Sequence, residues 1–437
     1  IEINTTDNGS SYNAFEAKTS VVEFGISCEE CHGPGEFHVN EFSGSKTIVP
    51  PLDRALGKPF IIHPGRVPAV RSVEICGQCH GLFDYLNVED RQHVLIHGET
   101  FRPGDELSAS RIVLRTKQDY ESPEFKAMGG GIKDLLSRCW NDGMVRVSGR
   151  EYNAVIQSPC FKGGELTCIS CHQMHRDSDD PRPIDQWTDD QLKVGMRTNQ
   201  ACTQCHDAFE DLELLVAHTH HSAESSGSNC LNCHASYTTY GLLKAIRNHQ
   251  IESPDVGVNL QTGRPNACNQ CHLDQTLAWT ADQLQQWYEI SPPQLSDDDR
   301  QVAASVQWLL KGDAGQRALM AWSYGWSDAQ HASGTQWMAP YLGQLLEDPY
   351  DAVRYIAQRS LKRLPGFDDF EDQGFLGSSA EREAIHANVL KIWSKNDDTP
   401  RKENAPQVLI DAAGRIMTSK FRELLRQRND RDVRLLE

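Results

Sequence analysis

Cysteine and histidine carry the chemistry that can be read from this chain. Of its 14 cysteines, twelve fall into Cys-X-X-Cys-His units: Cys28/Cys31/His32, Cys76/Cys79/His80, Cys168/Cys171/His172, Cys202/Cys205/His206, Cys230/Cys233/His234 and Cys268/Cys271/His272. Two thiols three positions apart can form thioethers to the two vinyl groups of one haem, and the imidazole that follows reaches the same iron. The expectation is six covalently held haems c, each with one of these histidines as its proximal iron ligand. Zinc binding through paired cysteines, or redox-active disulfides, would leave the invariable histidine without a purpose.

Beyond these six there are His38, His63, His93, His97, His175, His218, His220, His221, His249, His331 and His386. A lone histidine is more often a surface or hydrogen-bonded residue than a ligand, but nine of these crowd into the cysteine-bearing region. A second imidazole on each iron gives six-coordinate, low-potential centres, whereas an empty position admits a substrate. The distal candidates are His38, His63, His97, His175, His218, His220, His221 and His249. His38 follows a Gly-Pro-Gly bend directly after His32. His63 sits in a Pro-Gly turn upstream of the second motif. His249 closes Tyr240-Gly-Leu-Leu-Lys-Ala-Ile-Arg-Asn-His249, read as a helix with Leu242, Leu243 and Ile246 on one face. At least one member of the 218 to 221 cluster is expected to ligate. Gln92 to His97 alternates like a strand, which leaves His93 facing solvent. His331 and His386 are expected not to ligate.

Cys139 and Cys160 stand outside the motifs, and in the oxidising compartment where haem is attached a disulfide between them is the expected pairing. Two buried free thiols are the alternative.

Six haems within fewer than 290 residues leave too little polypeptide for a separate core around each, so the macrocycles themselves must supply much of the packing. The fold class expected is mainly α: a haem-packed cytochrome domain over 1–290 with short helices and little regular sheet, then a helical domain over 291–437. Ser291 to Arg300 reads as a linker ending in a helix N-cap. Helical periodicity covers 300–311, 314–325, 335–346 and 350–363, the last pair interrupted at Asp348-Pro349. Trp308, Trp322, Trp326 and Trp337 are read as packing residues. The charged stretches 368–373 and 395–404 read as loops.

A formal net charge of −18 over 437 residues, to which haem propionates would add, argues against nucleic acid or an anionic membrane as partner. Cationic redox proteins fit better, and assembly into a homo-oligomer or filament is open. No apolar run is long enough for a transmembrane segment.

The stretch Phe24-Gly-Ile-Ser-Cys-Glu-Glu-Cys-His-Gly-Pro-Gly-Glu-Phe-His-Val39 resembles multihaem cytochromes grouped around cytochrome c554, whose relatives include octahaem hydroxylamine oxidoreductases and pentahaem nitrite reductases. Trp140-Asn-Asp-Gly143, Arg146-Val-Ser-Gly-Arg-Glu-Tyr-Asn153, Ser158-Pro-Cys160 and Arg264-Pro-Asn-Ala-Cys-Asn-Gln-Cys-His272 look like segments of large bacterial multihaem proteins, and the resemblance spans roughly residues 15 to 290. It implies distal roles for His38, the 218 to 221 cluster and His249, and further haems upstream of Ile1. The lysine that replaces the proximal histidine at the active haem of the nitrite reductases is found in none of the six motifs, and no tyrosine is placed to crosslink a haem, with Tyr152 and Tyr240 the nearest candidates. Asp348-Pro349, Val353-Arg354, Ala357 and Leu361 resemble half of a HEAT repeat, implying a short helical solenoid in the tail.

Together these readings imply an exported carrier, periplasmic or extracellular, that passes electrons along mostly bis-histidine haems. The alternative is an oxidoreductase for a small nitrogen or sulfur compound at one open haem.

Overall fold

The computed structural model describes residues 2–6, 14–18, 25–43, 61–164, 166–370, 375–395 and 406–431, the first two segments by backbone alone. The fold is mainly helical. Among the described residues, strand is confined to two-stranded antiparallel ribbons pairing Glu2–Thr6 with Ala14–Lys18, Phe83–Tyr85 with Arg111–Val113, and Thr239–Gly241 with Lys244–Ile246. Of the charged stretches 368–373 and 395–404 read as loops, 371–373 and 396–404 lie outside the described residues.

The Cys-X-X-Cys segments are wound as single helical turns: Cys28–His32, the end of Ala69–His80, Cys168–Cys171, Gln200–Thr203, Cys230–His234 and Ala267–Cys271. A helical turn puts residues i and i+3 on one face, so both thiols of a motif look the same way. Local caps start several of these turns: Asn229 accepts from Leu231 N–H, and Asn266 from Cys268 N–H. The backbone N–H of His172, His206 and His272 then returns to the carbonyl of the first cysteine at 2.9, 2.9 and 2.8 Å.

Two local expectations give way. Residues 92–97 are not a strand but the end of the helix Val88–His97, begun by Asn87 accepting from Asp90 N–H and carrying Glu89 and Asp90 in its first turn. His93 and His97 therefore stack one above the other, ring centroids 4.7 Å apart, on an exposed face. Residues 240–249 are not a helix but a hairpin that turns at Leu242 and Leu243, with φ of 49° and 53°. Two successive left-handed residues make the turn whose twist suits paired strands. Pairing decides the matter: Tyr240 donates its N–H to Arg146 O and receives one from Ser148 at 2.9 and 3.0 Å, which adds the hairpin to the 146–148 segment. Tertiary hydrogen bonds thus override the apolar helical spacing.

In the tail, Ser296 caps Asp297–Gln301 with a reciprocal Asp299 contact, and the helices Ala304–Lys311, Ala314–Tyr324, Ala339–Leu345 and Asp351–Leu361 fall inside the four periodic stretches. Ser327–Ser333, Ser379–Lys395 and Thr418–Arg426 add to them. The tail does not close its core alone. Trp140, Met144, Val145, Val147, Tyr240, Ala245 and Leu273 are buried in the same cluster as Val306, Leu319, Tyr341 and Leu361. The joint is pinned by Arg146, whose guanidinium donates to both oxygens of Asp313 at 2.9 and 2.6 Å while lying over the Trp140 ring. Asp313 in turn caps Ala314–Tyr324 by accepting from Gln316 N–H. Trp337 is buried, while Trp322 and Trp326 form an aromatic group with Tyr237 across the 290/291 boundary.

Candidate metal centre

Four motif histidines each face a second imidazole across a gap of one atom. Ring centroids are 6.2 Å apart for His32 and His175, 6.3 Å for His172 and His249, 6.1 Å for His234 and His218, and 6.1 Å for His272 and His221. Two imidazoles on opposite sides of one iron, each bonded at about 2 Å with ring centres about 1.1 Å further out, would stand about 6.2 Å apart. The ring planes are 23°, 19°, 8° and 31° from parallel.

The hydrogen bonds choose the tautomer. Nδ1 of His32, His172 and His234 lies 2.6, 2.9 and 3.0 Å from the carbonyls of Ile62, Asp190 and Glu252. His249 and His221 do the same with Arg247 O and Thr219 O, at 3.2 and 2.6 Å. A carbonyl only accepts, so the proton sits on Nδ1 and the Nε2 lone pair is left for a metal. Burial also holds the His172 and His249 imidazoles below their ordinary pKa, in the neutral form that binds metal. The clips are reciprocal at two sites: Ile62 N–H donates to His32 O at 2.7 Å and Glu252 N–H to His234 O at 2.9 Å.

His63 also lies near His32, at 6.4 Å, but its Nδ1 accepts from Gly65 N–H at 3.1 Å. That places its proton on Nε2, the nitrogen a ligand needs free, so the geometry favours His175 over His63 opposite His32. Of the 218 to 221 cluster, two members face motif histidines, and His220, at φ 56°, lies instead on the Trp287 ring with centroids 4.4 Å apart. His38 packs against Phe42, and His97 against His93. No second imidazole stands at this separation from His80 or His206 among the described residues.

His80 differs from His32, His172 and His234 in its partner. Its Nδ1 lies 3.1 Å from Glu151 Oε2. Burial opposes the Glu151 charge, yet the His80 hydrogen bond and the nearby His249 hold its carboxyl down at about 2. The same hydrogen bond raises the His80 pKa.

The cysteines of successive motifs lie near one another in sequence order: Cys31 near Cys76 and Cys79, Cys76 near Cys168, Cys171 near Cys205, Cys202 near Cys230, and Cys233 near Cys268 and Cys271. Buried and half-buried side chains hold the motif turns in place. Arg111 donates to Gln78 O at 2.9 Å, Gly77 lies against the Tyr152 ring, and Arg247 donates to Leu231 O at 2.6 Å. From the tail, Ser333 Oγ donates to Cys271 O at 2.8 Å and accepts from Leu273 N–H at 2.7 Å. No sequence pattern announced Glu151, Arg247 or Ser333, because each acts through a contact distant in the chain.

A macrocycle also needs apolar walls. Among the described residues, all but two of the large apolar side chains left exposed, Leu376 and Met417, precede residue 291, and they include Ile26, Met174, Val194, Leu214 and Val216 near the motif helices. The tail closes its apolar surface with protein, while the motif region leaves apolar surface for something else to cover. Donor set, tautomers and open apolar surface all fit haem.

Cys139 and Cys160 are not joined. Cys139 is buried among Leu82, Leu114, Phe125 and Leu135, 3.6 Å from Tyr120 Oη, and burial pushes its thiol up to about 11. Cys160 lies on a separate helix, Pro159–Gly163, near Cys202 and Cys205. The Cys139 thiol thus fills a place in a side-chain core.

No helix among the described residues is long and apolar enough to cross a membrane. No protein-family model and no curated protein matches the chain. Among solved structures, the chain is similar to the outer cell wall cytochrome OcwA, with 16% identity over 82% of this chain and 72% of that one and a TM-score of 0.34.

Proposed function

We propose that this chain is an exported, periplasmic or extracellular, multihaem c-type cytochrome that passes electrons along a row of six haems. The carrying observation is the set of four opposed imidazole pairs at 6.1–6.3 Å. In each, one member directly follows a Cys-X-X-Cys pair, so a single haem could be attached and ligated there. The cysteines would hold each haem by two thioethers, and the bound haem would supply one-electron redox chemistry. The protein's part is to fix the imidazole planes, keep each Nδ1 on its carbonyl, and place successive motifs in contact so that each hop is short. The acidic chain favours cationic redox partners, and the HEAT-like tail over 291–437 is proposed as a brace for the last motif and as a docking face for such a partner.

A second reading rests on His80 and His206, which face no second imidazole among the described residues. One of these haems would then be open to a small nitrogen or sulfur compound. Intact mass gives the haem count, and electron paramagnetic resonance of the oxidised protein separates the readings. Six attached haems, all low-spin, support the carrier. A high-spin ferric signal that nitrite or hydroxylamine abolishes supports the oxidoreductase, and a protein without covalent haem refutes both.

A further inference from the structure

Glu151 differs in kind from the partners of three other motif histidines. The partners of His32, His172 and His234 are neutral backbone carbonyls, whereas His80 is faced by a carboxylate, 3.1 Å from Nδ1. The carboxylate is itself fixed: its other oxygen accepts from Gly149 N–H at 2.8 Å, at the start of the helix Glu151–Val155. That helix is packed on the His80 helix through Tyr152, whose ring meets Gly77. Glu151 also lies near His249, the imidazole opposite His172. One carboxylate therefore adjoins a histidine of the second site and a histidine of the third.

We propose that Glu151 is a positioning residue that sets the reduction potential at the second motif. A carboxylate accepting from Nδ1–H gives the imidazole anionic character and makes it a stronger donor to iron than a carbonyl-bound histidine. Ferric iron carries the greater charge and gains more from that donor, so the haem on Cys76 and Cys79 becomes harder to reduce. The same negative charge beside His249 acts in the same direction, more weakly, at the third motif. Electron flow along the row thus meets a raised step at its second member. The inference rests on the proposed haem attachment.

The test is potentiometry of the haem-loaded protein with Glu151→Gln, which keeps an acceptor oxygen and removes the charge. The expected result is an upward shift of one haem's midpoint, with six haems by intact mass and the other midpoints moving less. Unchanged midpoints in a six-haem variant would overturn the role of Glu151. Absence of covalent haem in the wild type would instead remove the reading beneath it. A measurement on the unaltered protein guards against a variant that does not fold: in ferrous, histidine-labelled wild type under carbon monoxide, which makes any open haem low-spin, the His80 ring N–H should resonate downfield of those of His172 and His234. A His80 proton resonating with the other two would also overturn the proposal.

Discussion

His218 and His234 present their rings to each other 8° from parallel with centroids 6.1 Å apart, while His220, two residues on, lies flat on Trp287. Within one short run of sequence, adjacent histidines thus have different work. His218→Ala should convert one low-spin ferric haem to high-spin, and His221→Ala another. His220→Ala should leave the wild-type electron paramagnetic resonance spectrum unchanged.

The same comparison applies opposite His32. His175→Ala should open that iron to an added ligand such as cyanide or imidazole, with about one haem equivalent of optical change. His63→Ala should not, because its Nδ1 accepts from Gly65 and its Nε2 carries the proton.

Arg146 and Asp313 make a buried ion pair across the joint between the motif region and the tail. Removing one partner strands the other charge, so Arg146→Ala should cost about 3–5 kcal/mol in chemical denaturation. Because the two regions share one hydrophobic cluster, tail and haem-band signals should be lost in a single transition.

Acid should act on the same pair. Burial works against the Asp313 charge, but Arg146 and Arg431 hold its carboxyl well below the ordinary 3.8. A depressed folded pKa gives stability that is fully present above the unfolded value and is lost as pH falls towards the folded one. Stability should therefore decline with acid from about pH 4 downward, and Asp313→Asn should flatten that part of the stability profile.

Ser333 ties the tail to the last motif by two hydrogen bonds. Ser333→Ala leaves a buried N–H and a carbonyl without that partner, costing about 1–3 kcal/mol. The haem on Cys268 and Cys271 should be the one whose signals move in the NMR spectrum of the oxidised protein.

What the sequence revealed depended on whether the governing interaction was local. The Cys-X-X-Cys-His turns and the tail helices are set by neighbours in the chain, through caps such as Asn266 and Ser296, and they were legible. The Leu242-Leu243 turn was not, since two left-handed leucines are tolerated only because Tyr240 pairs with the 146–148 backbone. The helix over Val88–His97 hid behind an alternating stretch because its Asn87 cap lies upstream of the pattern. Histidines could be nominated by density but not paired, because a pairing such as His32 with His175 is a tertiary fact. Cys139 and Cys160 could be named as two spare thiols, but the tyrosine hydroxyl and leucine core around Cys139 are tertiary facts that a sequence does not show.

The opposed imidazoles also have a mechanical consequence. With an iron between them, His32 and His175 would become the two ends of a crosslink that encloses the second and third motifs, and His172 and His249 those of another that encloses the fourth and fifth. Each such staple restricts the unfolded chain as a disulfide would, and the longer the enclosed loop the greater the restriction. Metal ligation would then close the fold from the inside. The first iron must wait for residue 175 to arrive, so a nascent chain would hold its early haems by thioethers alone until the later segments fold back over them.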